Sequence, residues 1–341
     1  MIRYGVVGCA GIGTDHGDAV ADAEGAELVA CADLDADAAS DFADEYDCAA
    51  YTDTAEMVAD ADVDAVSVCT PSGTHADLTV EAARAGAHVL CEKPLDVYAD
   101  PMDRMIDACD EAGVTLAGVY QKRTFDSAQR AKRAVEDGEL GDLVLGDAQV
   151  KWFRSQPYYD SGDWRGTREM DGGAMLNQAI HFIDMLQWLG GGVESVQAMT
   201  DTLARDLECE DTAAIALRFS NGALGTISVT TATKGGGDRI ELNGTEGSLA
   251  LTGDSITEFR VGTGEESHYS AETESVDVDI ASHEWGDGHR AVVQDFVDAL
   301  REGREPMVPG QEARTAVDII LAAYESSERG ERVALDEVRG G

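Results

Sequence analysis

Up to about residue 120 the chain is written in blocks that switch between two hydrophobic periods. Ile2-Arg3-Tyr4-Gly5-Val6-Val7 is an apolar run of strand length, and Gly8-Cys9-Ala10-Gly11-Ile12-Gly13 follows at once. Thr14 to Ala23 then reads as a helix, and Ala26 to Ala32 as a second strand ending at Asp33. Helical patterns cover Ala38 to Asp47 and Thr54 to Asp60, and Ala65 to Thr70 is a buried strand closed by Pro71. Thr74 to Ala85 is an amphipathic helix, His88 to Glu92 a strand, Asp100 to Ala112 a helix and Val114 to Val119 a strand. Such alternation predicts an α/β domain over 1–122 with a parallel, doubly wound sheet. Ligands of such sheets bind at the strands' carboxyl ends.

The pattern changes after about residue 122. A helix from Ser127 to Asp137 leads into the strand Leu143 to Val150, an aromatic and Arg segment through Trp164-Arg165-Gly166, and a helix over 172–189. Strand then follows strand: Ser195 to Met199, Ala213 to Phe219, Leu224 to Thr231, Arg239 to Leu242, Ser248 to Leu251 and Val276 to Ile280. Asn221-Gly222 is a hairpin signal between two of them. Short turns between consecutive strands predict a mostly antiparallel sheet in an α+β domain over 123–341. Helices from His289 to Arg301 and Gln311 to Ser327 close the chain and could pack back on the first domain.

Composition narrows the partners. The 341 residues carry 67 acids against 25 Lys and Arg, a formal net charge of -42. That balance excludes nucleic acid and anionic membranes, which need positive surface. The acids are spread along the chain, and 43% hydrophobic content is not that of a disordered acidic segment. A lysine-poor, acid-coated protein resembles those of organisms that keep molar salt in the cytoplasm, where screening weakens self-repulsion. Seven cysteines, without a C-x-x-C pair, read as reduced structural thiols. No apolar run approaches a membrane span and the chain opens directly into a strand, so a soluble cytoplasmic protein is expected.

Candidate chemistry sits at the strand ends. The Gly8–Gly13 turn lies between a strand and a helix, the context of a dinucleotide-binding fingerprint. Gly8 permits the tight turn and Gly13 the close helix–strand contact, and Ile12 lies in the turn ahead of the helix whose N–H groups would face a pyrophosphate. Ala10 stands where the second glycine is usual, with Gly11 beside it to compensate. Asp33, 20 residues after Gly13, can accept hydrogen bonds from ribose hydroxyls, and no Arg or Lys adjoins it to bind a 2′-phosphate. NAD is favoured, with NADP possible. Lys93, one of five lysines, follows the apolar strand His88 to Glu92 and precedes Pro94. On the 172–189 helix Asn177, His181 and Asp184 stand four and three apart, near one face. Gly172-Gly173 lets a loop or ligand approach that helix start closely. His181 is suited to take a proton near neutral pH; Asp184 could hold its ring or pair elsewhere. No His, Asp or Glu set has metal-ligand spacing, so no metal is expected.

In order, the Gly8–His16 segment, Thr70-Pro71 with His75, Cys91-Glu92-Lys93-Pro94-Leu95 and Gly172-Gly173 with Asn177, His181 and Asp184 resemble the Gfo/Idh/MocA family of oxidoreductases over nearly the whole chain. The likeness extends to Pro306-Met307-Val308-Pro309 and Ala322 to Ser326. It implies a Rossmann domain, and a second domain whose large open sheet makes homodimers or homotetramers. It also implies hydride transfer between nicotinamide and a sugar, cyclitol or related polyol. By the same resemblance Lys93 lies beside the nicotinamide and the reacting oxygen, and His181 is the general acid/base. Thr70, Pro71, His75 and Glu92 would then join the glycine turn and Asp33 as cofactor residues, and Trp164, Arg165, Asn177 and Asp184 would meet substrate. Inositol-dehydrogenase-like members carry aspartate where Asn177 stands, which weakens a proton relay through 177. An NAD-using glycoside hydrolase and a non-catalytic NAD sensor are the alternatives; a mere binder needs neither Lys93 nor His181.

Overall fold

The computed structural model describes residues 1–266, 270–278 and 286–339. The first described elements are β1 (Ile2–Val7), α1 (Ile12–Asp22), β2 (Ala26–Ala32), α2 (Ala36–Tyr46), β3 (Ala49–Tyr51), α3 (Thr54–Asp60), β4 (Ala65–Val68), α4 (His75–Ala85), β5 (His88–Cys91), α5 (Ala99–Ala112) and β6 (Leu116–Gly118). There follow α6 (Asp126–Glu136), β7 (Leu143–Lys151), α7 (Gln156–Tyr159), a π-turn at Met175–Ala179 and α8 (Ile180–Gly190). The strands β8 (Val193–Asp201), β9 (Thr212–Phe219), β10 (Leu224–Thr230), β11 (Asp238–Gly244), β12 (Gly247–Thr252), β13 (Ser255–Glu266) and β14 (Ala271–Ser275) come next. The chain closes with α9 (Asp287–Glu302), α10 (Gly310–Arg329), β15 (Val333–Ala334) and α11 (Leu335–Arg339).

Two compact units result. The described residues of Met1–Gln121, Glu169–Asp171 and Glu284–Val317 form one, and those of Lys122–Arg168, Gly172–His283 and Asp318–Gly341 the other. The helix α9 and the first turns of α10 group with the first unit.

The first unit holds a six-stranded sheet in the order β3-β2-β1-β4-β5-β6, with every pair parallel. Burial on both faces is why β4 and β5 read as near-continuous apolar runs. The helix α9 presents Val292, Val293, Phe296 and Val297 to Tyr4, Ala19, Val20 and Leu90 in one buried cluster. Phe296 meets Tyr4 edge-on, with ring centroids 6.4 Å apart. Each such side chain contributes roughly 1.5–3 kcal/mol on burial, which holds a sequence-distant helix to the sheet. The strand order reverses between β1 and β4, so the turns after β1, β4 and β5 share one edge of the sheet. Gly8, Thr70 and Lys93 occupy those turns.

The second unit is built on a nine-stranded sheet, β14-β13-β12-β11-β7-β10-β9-β8-β15. The predicted antiparallel pattern holds except at one place: β10 runs parallel to β7, pairing Leu224 with Leu145 and Thr230 with Lys151. The β8-β9-β10 meander ends beside a strand laid down before it began, so no hairpin fixes that direction. In β9 Ala213, Ile215, Leu217 and Phe219 are buried while Ala214, Ala216 and Arg218 are exposed, the alternation of a half-covered sheet. The Asn221-Gly222 turn forms as expected, with Gly222 at φ 93° and Asn221 Oδ1 accepting Ala223 N–H at 3.1 Å.

Two expectations need correction. The outer strands are β13 and β14, whereas residues 276–278 have no regular structure and 279–280 lie outside the described residues. The helix expected over 172–189 begins with the wide turn at Met175–Ala179. The short β3 escaped the periodicity because it is only three residues long and largely exposed. No described helix is long and apolar enough to cross a membrane. The seven cysteines form no disulfide, and five of them are buried.

Candidate functional site

In the first unit the chain leaves β1 through Gly8 at φ 93° and Gly11 at φ 57° before entering α1. A Cβ on Gly8 would come within 2.9 Å of the Cys69 backbone, and one on Gly13 within 1.9 Å of the Gly8 carbonyl oxygen. Neither position accepts a side chain. A Cβ on Gly11 would meet nothing within 4 Å. The left-handed residue at the helix start therefore faces open space, and Ala10, exposed beside it, does not close that space. A backbone that approaches this closely beneath and is open above fits a dinucleotide pyrophosphate at a helix N-terminus. Asp33 ends β2 next to this turn: its Oδ2 accepts Cys9 N–H and its Oδ1 accepts Asp35 N–H, each at 2.9 Å. Those bonds fix the carboxylate against the turn.

Thr70 and Pro71 follow β4. Thr70 Oγ1 and Thr74 Oγ1 lie 2.7 Å apart, and Thr74 donates to the Pro71 carbonyl at 2.7 Å. His75, 1% exposed, has Nε2 2.8 Å from the Thr70 carbonyl oxygen and Nδ1 2.8 Å from that of Pro94. Its ring clamps the turn after β4 to the bend after β5. The ring of His75, expected among the cofactor residues, is enclosed and joins those two backbone segments.

Glu92 is enclosed in the same sense. The carboxylate is buried, with Oε1 3.1 Å from His16 Nε2 and 3.4 Å from His289 Nε2, and Oε2 accepts Lys93 N–H at 3.0 Å. Burial would raise its pKa, but the hydrogen bonds and charge interactions from His16 and His289 outweigh that and hold it well below the usual carboxylate range. With Glu92 ionised, His16 Nε2 donates to it. In the neutral ring Nδ1 then accepts from Ser67 Oγ at 2.8 Å, and Ser67 Oγ from Tyr4 OH at 3.0 Å. The buried chain Tyr4–Ser67–His16–Glu92 thus ends on the backbone of Lys93. Among the described residues His16, Glu92 and His289 are also the one His/Cys/Asp/Glu group close enough to hold a metal, their ligand atoms lying within 4.8 Å of one another. Each of those atoms already has a partner inside the triad, which accounts for the cluster without an ion. Residues 16, 92 and 289 are too far apart in sequence for spacing to have shown it. Lys93 itself is half-buried, and its peptide bond to Pro94 is cis.

The second unit carries the other candidates. Gly172 turns at φ 72°, and the wide turn Met175–Ala179 holds Asn177 before α8 brings His181, 9% exposed. Such wide turns are frequent at functional sites. What approaches the double glycine is Glu210: a Cβ on Gly173 would lie 1.9 Å from Glu210 Oε2. Glu210 Oε1 accepts Met175 N–H at 2.8 Å, its carbonyl accepts Ala174 N–H at 3.0 Å, and Tyr324 O–H donates to Oε2 at 2.8 Å. Burial pushes this carboxyl up to about 7, against the hydrogen bonds from Met175 and Tyr324. Glu210 thus caps the helix start that carries Asn177 and His181, a role that no local motif around 210 announces.

Asp184 turns away from the chemistry. Arg123 Nε donates to its Oδ2 at 2.8 Å and Arg123 Nη2 to its Oδ1 at 2.6 Å, with both side chains 1% exposed. Gln187 adds a bond at 3.3 Å. Asp184, expected beside substrate, here anchors α8 to the Arg123 segment. Asn177 Oδ1 accepts from Gln178 Nε2 at 2.9 Å, and Gln178 Nε2 also reaches Tyr158 OH at 3.5 Å. Arg165 Nη1 donates to the same Tyr158 OH at 2.8 Å, and its guanidinium lies over the rings of Tyr158 and Trp164, 4.6 and 4.4 Å from their centroids. Trp164, Arg165 and Asn177 are therefore linked through Tyr158 and Gln178, two residues the sequence reading passed over.

Comparison with known proteins also finds two parts. Residues 2–120 match the NAD-binding Rossmann fold of the Gfo/Idh/MocA oxidoreductase family, and residues 132–335 match its C-terminal alpha/beta domain. The chain is 30% identical to myo-inositol 2-dehydrogenase of Thermotoga maritima over 99% of its own length and 100% of the relative's. It is also 30% identical to D-xylose 1-dehydrogenase (NADP(+)) 2 of Haloferax volcanii, over 98% and 100%. Among solved structures, WlbA dehydrogenase from Bordetella pertussis, in complex with NADH and UDP-GlcNAcA, is 35% identical with a TM-score of 0.86, covering 98% of each chain.

Proposed function

The chain belongs to the Gfo/Idh/MocA family of NAD(P)-dependent oxidoreductases, and on that premise we propose that it oxidises a CH–OH carbon of a sugar, cyclitol or related polyol. The observation that carries this reading is the glycine cradle at the end of β1 sharing one sheet edge with Lys93 at the end of β5. When bound there, a nicotinamide accepts or returns the hydride. The protein supplies the rest. Removing hydride from a secondary alcohol leaves its oxygen gaining negative charge, and the Lys93 ammonium stabilises that alkoxide. His181 takes the hydroxyl proton as general base and returns it in the reverse direction. Asn177 positions the hydroxyl but cannot titrate, so the proton passes without a carboxylate at 177. Trp164 and Arg165 join Asn177 on the substrate side. Asp33, with exposed Leu34 rather than a cation beside it, favours NAD over NADP.

The exposed Leu145 and Leu224, paired across β7 and β10, support a homodimer or homotetramer built on the open sheet. A cytoplasmic location belongs to the same reading, as does a salt-requiring host. The test is NADH formation at 340 nm from a panel of sugars, cyclitols and sugar acids, each with NAD and with NADP in molar KCl. Cofactor that stays bound and unconsumed with every alcohol, while a glycoside is cleaved, would replace this reading by the hydrolase.

A further inference from the structure

The second unit gathers cations where the chain has few to give. Lys151, Arg154, Arg165, Arg205 and Lys234 come from a protein with 67 acids and 25 bases. Elsewhere Arg104, Arg130, Arg239, Arg304 and Arg329 each pair with a carboxylate. These five form no ion pair among the described residues. Lys151 Nζ donates to Gln149 Oε1 at 2.9 Å, and aromatic rings hold the other four: besides Arg165, Arg154 lies 5.5 and 5.3 Å from the centroids of Trp152 and Tyr158, while Arg205 and Lys234 lie 5.3 and 5.4 Å from that of Phe153. Arg205 Nε donates to the Arg154 carbonyl at 2.6 Å, which ties the two guanidinium groups into one cluster. Asp238 accepts Trp152 Nε1–H at 3.1 Å and Gly253 N–H at 2.9 Å.

Rings neutralise no charge, and a guanidinium stacked on one keeps N–H groups in its plane to meet a phosphate or carboxylate. A concavity of roughly 420 Å³ opens beside Trp152–Arg154 and Gly235–Gly236, within the size range of small-molecule sites. The cluster is also continuous with the substrate side, because Tyr158 carries Arg154 on its ring and, through Arg165 and Gln178, connects to Asn177.

We propose that the substrate is a sugar bearing an anionic group, held by Arg154, Arg165 and Arg205 while Asn177 addresses the sugar. This rests on the dehydrogenase reading of the same site. Phosphate and carboxylate share the chemistry, but several cations alternating with aromatic faces fit a nucleoside diphosphate sugar best. The phosphates meet guanidinium groups and the base has the 42% exposed Phe153 on which to stack. A polyanion such as RNA is excluded by the charge of -42.

The experiment compares one hexose as the neutral sugar, its uronate, its 1-phosphate and its UDP derivative, with NAD at fixed KCl. Calorimetric titration with UDP runs alongside. The UDP sugar should exceed the neutral sugar at least a hundredfold in kcat/KM. Arg154→Gln and Arg205→Gln should raise its KM and the UDP Kd at least tenfold, with kcat held within about threefold. A uronate that matches the UDP sugar, with no UDP binding, would keep the anion and overturn the nucleotide. Equal turnover of neutral and charged sugars would overturn the proposal and leave the dehydrogenase intact. UDP binding that the variants abolish, with no alcohol oxidised, would instead sink the dehydrogenase reading. Variants that change only the mass in solution would make the cluster a subunit contact and overturn it.

Discussion

The carboxylate of Glu210 occupies the space in which a side chain on Gly173 would begin: the first carbon of any such side chain would fall 1.9 Å from Oε2. The glycine therefore exists to admit an acid, and the acid caps the helix that carries Asn177 and His181. Gly173→Ala should cost about 1–3 kcal/mol through overpacking and lower turnover, because the buried carboxylate has nowhere to go. Thermal melts and kcat on the best substrate check both parts, and an alanine variant as stable and active as wild type would contradict this account.

Glu210 also gives stability a pH dependence with a definite sign. Its folded pKa, raised by burial to about 7, lies above the ordinary unfolded carboxylate value, so the folded state binds the extra proton. The contribution is full below the unfolded pKa and is lost as pH rises through about 7. Glu210→Gln keeps the acceptor for Met175 N–H but cannot ionise. Denaturant unfolding at pH 5.5 and pH 8 in matched salt should show wild type losing stability relative to the variant as pH rises. Parallel curves would remove Glu210 as the titrating group.

Arg123 and Asp184 are a second buried relationship, and here the expected outcome is structural. Asp184→Asn leaves a guanidinium enclosed without its counter-charge, a loss on the order of 3–5 kcal/mol. The melting temperature should fall while KM, measured well below it, stays near wild type. A raised KM without a lower melting temperature would return Asp184 to the substrate.

These cases show where one-dimensional reading stops. In the first unit, period and turn chemistry located β1, β2 and α3 to the residue, because each element there announces itself over consecutive positions. The same reading passed over β13, whose Ser255–Glu266 mixes charges and glycine through a strand near the sheet margin. It left Asp184 to hold the His181 ring or to pair elsewhere, because helical spacing sees only its own helix, while Arg123 arrives from another segment. It recognised Gly172-Gly173 as a place of close approach but had no means of naming Glu210. The His16–Glu92–His289 triad was hidden for the same reason, since α9 returns to the first unit only in three dimensions.

Cofactor preference tests the edge formed by β2. Asp33 is held against the glycine turn by Cys9 and Asp35. Asp33→Ser with Leu34→Arg removes a repulsive acid and supplies a phosphate partner, so the ratio of kcat/KM for NADP over NAD should rise by tenfold or more, about 1.4 kcal/mol. A wild type that already prefers NADP tenfold would sink the assignment of Asp33 to the ribose diol.

Charge sets the working medium. With a net charge of -42, self-repulsion should make folding and activity depend on molar salt, which shortens the screening length to about 3 Å at 1 M. Melting temperature and turnover should both climb with KCl. Full activity and unchanged melting in dilute buffer would show that the acids are tolerated without screening.

The last prediction concerns the two groups assigned to the chemistry. Lys93→Met should keep the fold and NAD binding, because the glycine cradle and Asp33 that hold the cofactor are untouched. Turnover should fall roughly a hundredfold to ten-thousandfold, the usual range for one positioned acid/base or electrostatic group. His181→Ala should fall in the same range and flatten the pH profile of kcat/KM between about pH 6 and 8, where an imidazole titrates. If both serve one proton transfer, the double variant loses far less than the product of the single losses. Asn177→Ala should raise KM more than it lowers kcat, as a positioning contact does. Near-wild-type turnover in both single variants, measured on a substrate that reduces NAD, would make Lys93 and His181 structural residues and move the chemistry elsewhere.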